Sequence, residues 1–240
     1  MDMGSQTISF PQARRDAASI FLAKVFYWMA IGLAVTAAVA WLAQAWLMQQ
    51  SPEVVRGMLG MPLIVLFIAE IALVWYLAAR VWQMSPSAAT GCFIVYSALN
   101  GLTLSVIFLA YTMASIVATF VITAGMFGAM SLYGFVTKRD LSGMGSFLFM
   151  GLIGIILASV VNMFLHSSSL GWAISVIGVF IFVGLTAYDV QKIKEMGERG
   201  ILEQGDAMIQ QGAISGALSL YLDFINLFLM LLRFVGIARD

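Results

Sequence analysis

Residues 81–137 contain no Asp, Glu, Lys or Arg, and no other feature narrows the possible folds as far. A helix that crosses a bilayer needs about 20 mostly apolar residues, so this stretch is too long for one span and long enough for two joined by a tight turn. The turn is placed at Tyr111-Thr112, giving predicted spans over residues 88–109 and 114–136, closed by the charged run Lys138-Arg139-Asp140. The rest of the chain repeats the arrangement. Residues 25–47 and 61–79 form two earlier spans, the second interrupted only by Glu70. Residues 145–165 and 170–192 flank a polar break at His166-Ser167-Ser168-Ser169. A charged, glycine-containing connector over residues 192–212 then leads to a seventh span at 215–237. Backbone polar groups must be satisfied within a membrane segment, and runs this long lack the alternation of a membrane barrel, so the expectation is an all-α protein with seven transmembrane helices.

Composition excludes the soluble classes. The chain is 62% hydrophobic and 10% charged, with a mean hydropathy of +0.98, against roughly 45–50% and 25% for a soluble domain. A formal net charge of zero gives no basic face for nucleic acid. The one cysteine, Cys92, and the one histidine, His166, have no companions for a disulfide, a redox pair or a zinc site. His166 reads as a loop residue. No cofactor and no enzymatic activity are expected. Residues 1–23 read as a polar cytoplasmic tail without the apolar core of a secretory signal, a solvated arm ahead of a single membrane domain over 24–240. Gly125 with Ala129, and Gly151 with Gly154, read as close helix contacts.

Basic residues favour the cytoplasmic side. With the N-terminus inside, Arg14, Arg15, Lys24, Arg80, Lys138, Arg139, Lys192, Lys194 and Arg199 face the cytoplasm, against Arg56, Arg233 and Arg239 outside. The expected placement is therefore N-terminus in, C-terminus out.

An ionised side chain near the middle of a membrane helix costs roughly 2.5–3.5 kcal/mol on insertion scales and commonly marks a functional position. Glu70, Asp189 and Asp223 are such residues. At about 1.5 Å of rise per residue, Asp189 and Asp223 reach similar depths in the inner half of the membrane and can meet. Tyr188, Tyr221 and Asn226 are their polar neighbours, Asn226 on the same helix face as Asp223. Two carboxylates in contact cannot both ionise cheaply, so the pair holds its proton jointly. Such a pair can sense pH, take a hard cation such as Ca²⁺ through oxygen, or carry out acid–base chemistry. The alternative is structural, each aspartate bracing a helix through a Tyr, Ser or Asn.

Two segments carry a family resemblance. Gly184-Leu185-Thr186-Ala187-Tyr188-Asp189-Val190-Gln191-Lys192 and Ser219-Leu220-Tyr221-Leu222-Asp223-Phe224-Ile225-Asn226-Leu227-Phe228 resemble the signature segments of the Bax inhibitor-1, or transmembrane Bax inhibitor motif, family, and the chain is most similar to its bacterial inner-membrane members. The resemblance implies a seven-helix fold with the last helix central, and a pH-sensitive calcium leak. In it, Asp189 and Asp223 form the pH sensor and tentative Ca²⁺ site, proton binding favours opening, and Glu70 supplies the acid of the second helix. Arg80 stands for a latch on the aspartates, although registering on Glu70 places that position at Val81. Asn226 joins the path as a further oxygen ligand. Other bacterial members resemble partners of a membrane-bound ATP-dependent protease, a binding role that the polar N-terminal tail would suit.

Two further seven-helix or aspartate-based classes fit poorly. An intramembrane aspartyl protease carries Gly-x-Gly-Asp where this chain has Leu220-Tyr221-Leu222-Asp223, and a retinal protein needs a lysine in the last span, where residues 212–232 have none.

Overall fold

The computed structural model describes residues 10–237, and the described residues form an all-helical bundle. The helices are α1 (Phe10–Leu47), α2 (Pro52–Met58), α3 (Met61–Arg80), α4 (Pro86–Leu104), α5 (Ile107–Ala110), α6 (Met113–Val136), α7 (Ser142–Leu165), α8 (Ser168–Glu198) and α9 (Asp206–Val235). Among the described residues, seven helical segments are long and apolar enough to cross a membrane. Their starts follow from local chemistry. Ser85, Thr112 and Ser167 each accept a hydrogen bond from a backbone N–H three residues on, which satisfies a donor that the first helical turn leaves free. Pro52, Pro62 and Pro86 occupy first-turn positions, where a missing N–H is harmless.

α9 is the axis of the bundle, in contact with α1, α4, α6 and α8. Its Leu220, Tyr221 and Leu227 are fully buried. Both of its ends are pinned: Gln211 donates to the Met84 carbonyl and Gln210 to Thr90 at one end, while Ile237 N–H donates to Ser115 Oγ at the other. α3 and α7 lie at the periphery. The only buried side chains on α3 are Glu70 and Leu77, and most of the large apolar residues of α7 are exposed, as on a lipid-facing surface.

Close helix approach falls at glycines other than those singled out from sequence. Gly125 and Gly154 have no neighbour within 4 Å of an added Cβ, and Gly151 meets only the tip of Ile181. The backbone-to-backbone contacts are at Gly101, where a Cβ would stand 2.6 Å from the Thr36 carbonyl, at Gly134, which rests on the Ala187 carbonyl, and at Gly197, which rests on the backbone of Ala18. Spacing of small residues locates candidates, but only the neighbouring backbone selects among them.

Two boundaries also differ from the sequence expectation. The connector between the last two spans is not residues 192–212: α8 continues to Glu198, residues 201–203 make one 3-10 turn, and α9 begins at Asp206. Lys192, Lys194 and the residues after them are charged yet helical, because helices extend past the apolar layer into water. For the same reason α1 shows no break at residues 23 and 24. It begins at Phe10, and Ala18 and Phe21 are fully buried, Ala18 against Gly197. From residue 10 onward the expected solvated arm is thus helix, part of it packed. Residues 1–9 and Arg239 lie outside the described residues. His166 sits between α7 and α8 with a left-handed φ of 50°, a loop position as expected, and Cys92 is a half-buried free cysteine.

Candidate functional site

α8 and α9 pack antiparallel along a seam defined by two glycines. Gly178 meets Met230, and Gly216 meets Ile193 of α8 as well as Val25 of α1. Residues 216, 223 and 230 are spaced by nearly two helical turns and form one stripe. That stripe aims Asp223 at α8 midway along the seam. Asp223 is 5% exposed, and its Oδ2 has no hydrogen-bond partner. Asp189 stands on α8 in the same seam, half-buried. Its charge acts on Asp223, while Lys192, a turn further along α8, acts on Asp189. Asp189 and Asp223 thus lie within electrostatic reach of each other across α8 and α9, and one carboxylate oxygen of Asp223 is left without a donor. Such a group holds a proton, a cation or water in preference to remaining bare.

The other residues singled out from sequence divide differently. Tyr188 packs its ring on Gly145 of α7 and Tyr221 turns to the far side of α9, so neither tyrosine serves the pair. Asn226 donates to the Leu222 carbonyl of its own helix at 2.8 Å. Arg80 is exposed at the end of α3 and donates to Gln83 Oε1 at 3.1 Å. No ion pair joins it to an aspartate among the described residues. Nor does any group of three His, Cys, Asp or Glu side chains converge among those residues.

Glu70 is brought together with a second polar cluster on the opposite side of α9. The Thr103 hydroxyl of α4 donates to Glu70 Oε1, and Glu70 is 6% exposed. Tyr96 and Tyr221 lie within electrostatic reach of Glu70, and their rings meet edge to face with centroids 5.8 Å apart. Asn100 Nδ2 lies 3.4 Å from the Tyr96 hydroxyl, and Asn100 Oδ1 is buried without a partner. Tyr221 OH is 2.7 Å from Thr36 Oγ1, which also lies 2.9 Å from the carbonyls of Gly32 and Ser97. The single Thr36 proton is directed to those carbonyls, so Tyr221 donates to Thr36. Sequence reasoning missed Thr36, Asn100 and Thr103: isolated Thr and Asn are common in membrane helices, and nothing in their spacing joins three elements.

Comparison with known proteins places these features in a family. The model of the family described as "Inhibitor of apoptosis-promoting Bax1" matches residues 18–240. The chain is 52% identical to the inner membrane protein YbhL of Escherichia coli K12 over the whole of both chains. It is 47% identical to an uncharacterized protein of Borreliella burgdorferi, covering 92% of this chain and 93% of that one. With the uncharacterized protein RP147 of Rickettsia prowazekii it shares 44%, covering 92% and 90%.

Proposed function

The chain belongs to the Bax inhibitor-1 family, and from that premise we propose that it is a pH-sensitive calcium leak of a bacterial inner membrane, gated by Asp189 and Asp223. The observation that carries this reading is the unpartnered, buried Oδ2 of Asp223 in the seam it shares with Asp189. A leak must bind its ion weakly enough to release it. Two carboxylates in a seam supply oxygen ligands suited to Ca²⁺, which is cargo here, while falling short of the six to eight ligands of a tight site. Proton binding cancels the charge the pair holds between α8 and α9, and in this reading that change opens the path. The inner-membrane placement is taken from the E. coli relative, with the N-terminus in the cytoplasm on the distribution of basic residues.

The test is Ca²⁺ entry into dye-loaded proteoliposomes between about pH 6 and 8, for wild type, Asp189→Asn and Asp223→Asn. Wild type leaks faster at acidic pH, and each variant loses that dependence. A wild type that leaks no faster than empty liposomes ends the channel reading. Its place is then taken by a binding role, as partner of a membrane-bound ATP-dependent protease, which co-purification from membranes would detect.

A further inference from the structure

Glu70 lies near the middle of α3, about 15 Å from either end at roughly 1.5 Å per residue, and it is buried beside Thr103 of α4. The ion pairs among the described residues, Lys194–Glu198 and Arg199–Glu195, are both at the end of α8, so no basic side chain neutralises it there. A carboxylate buried at this depth without a counter-charge is costly unless something positive joins it. The Thr103 hydroxyl donates to Oε1. Beside it, Asn100 spends its amide N–H on the Tyr96 hydroxyl, which leaves Asn100 Oδ1 buried and unpartnered. The cluster thus combines one buried carboxyl that has no basic partner with a free carbonyl oxygen and two hydroxyls, and it contains no nitrogen or sulfur ligand.

We infer that Glu70, Asn100, Thr103 and Tyr96 form a second cation site, separate from the Asp189–Asp223 pair and on the other side of α9. An all-oxygen set selects a hard cation such as Ca²⁺. A single carboxylate makes the site weak, with a Kd on the order of 10⁻³ M for Ca²⁺, as in sites of low ligand charge. The site stands on the burial of Glu70 and the unpartnered Asn100 oxygen, and it requires no transport by the protein.

Terbium tests it, being a hard-cation probe that emits when a nearby tyrosine is excited, and Tyr96 supplies that antenna. Purified full-length protein in nanodiscs is titrated with Tb³⁺, with Ca²⁺ as competitor, in the Asp189→Asn/Asp223→Asn background. Sensitised emission that Ca²⁺ displaces is expected to persist there, and adding Glu70→Gln weakens Tb³⁺ binding by roughly tenfold or more through loss of the only charged ligand. Asn100→Leu and Thr103→Val weaken it by smaller factors, and they carry the test if the Glu70 variant does not fold. Emission that disappears with the aspartate pair, or that all three cluster variants leave unchanged, overturns the site. Because the pair is absent from the assay and no flux is measured, a failed leak experiment leaves this result standing.

Discussion

Asp223 and Tyr221, two residues apart on α9, serve opposite sides of the same helix: Asp223 enters the seam with α8 while the Tyr221 hydroxyl reaches Thr36 of α1 at 2.7 Å. Residues two apart on a helix are separated by about 200°, so the central helix carries two polar faces that need not communicate. Tyr221→Phe removes one buried hydrogen bond and is expected to lower stability by about 0.5–1.5 kcal/mol while preserving the pH dependence of flux. Thermal unfolding in detergent and the liposome assay check the two halves. A loss of pH dependence in Tyr221→Phe would mean that the two faces act as one site.

Asp223→Asn is expected to do the reverse. It removes a buried carboxylate that has an oxygen without a partner and a like charge nearby. Thermal stability should rise, by about 1–3 kcal/mol if the whole penalty of the unsatisfied group is relieved, as happens when a functional strain is removed. A lower unfolding temperature for this variant would assign Asp223 to bracing the bundle.

Gly101→Ala should cost about 1–3 kcal/mol through overpacking, since its Cβ would stand 2.6 Å from the Thr36 carbonyl and 2.9 Å from Val39 Cβ. Gly125→Ala is the control. It has open space around it, and replacing a helical glycine there stabilises by roughly 0.5–1 kcal/mol. Equal effects at the two positions would contradict the packing of α1 on α4.

Asp140 gives a pH dependence outside the membrane. Its carboxylate accepts from the Ser142 N–H at 2.8 Å at the start of α7, and the hydrogen bonds from Ser142 hold its carboxyl below the usual range. A folded value below the unfolded one means that the ionised group favours the folded state. The contribution is complete above the unfolded value near 4 and is lost as pH falls through the lower folded value. Protection of the Ser142 amide and those after it, taken relative to the intrinsic exchange rate at each pH, should therefore fall below about pH 4 in wild type. In Asp140→Ala that protection should be low throughout; a wild type that shows no such step would mean that Asp140 does not hold the start of α7.

A chain that crosses the membrane seven times would leave its two termini on opposite sides. A reporter fused after Asp240 should be active outside the cytoplasm, and one fused before Met1 inside. Two reporters on the same side would contradict the count of spans.

The number of spans and their helical nature were determined by sequence alone, because hydrocarbon demands long uncharged segments whose backbone bonds close internally. The exceptional residues Asp189, Asp223 and Glu70 were legible for the same reason, since an acid in an apolar run stands out wherever the helix packs. What sequence could not settle was the company each acid keeps. Spacing put Tyr188, Tyr221 and Asn226 beside the aspartates, yet the fold turns Tyr188 to α7, Tyr221 to α1 and Asn226 to its own backbone. Asn100 and Thr103 of α4 meet Glu70 of α3 only because α3 and α4 pack side by side. The close contacts were decided in the same way, at Gly101 and Gly134 instead of Gly125, because a glycine becomes a contact only when another helix crosses over it. Periodicity fixes the face on which a residue lies within its own helix, and the rotation of each helix about its axis is set by all its neighbours together.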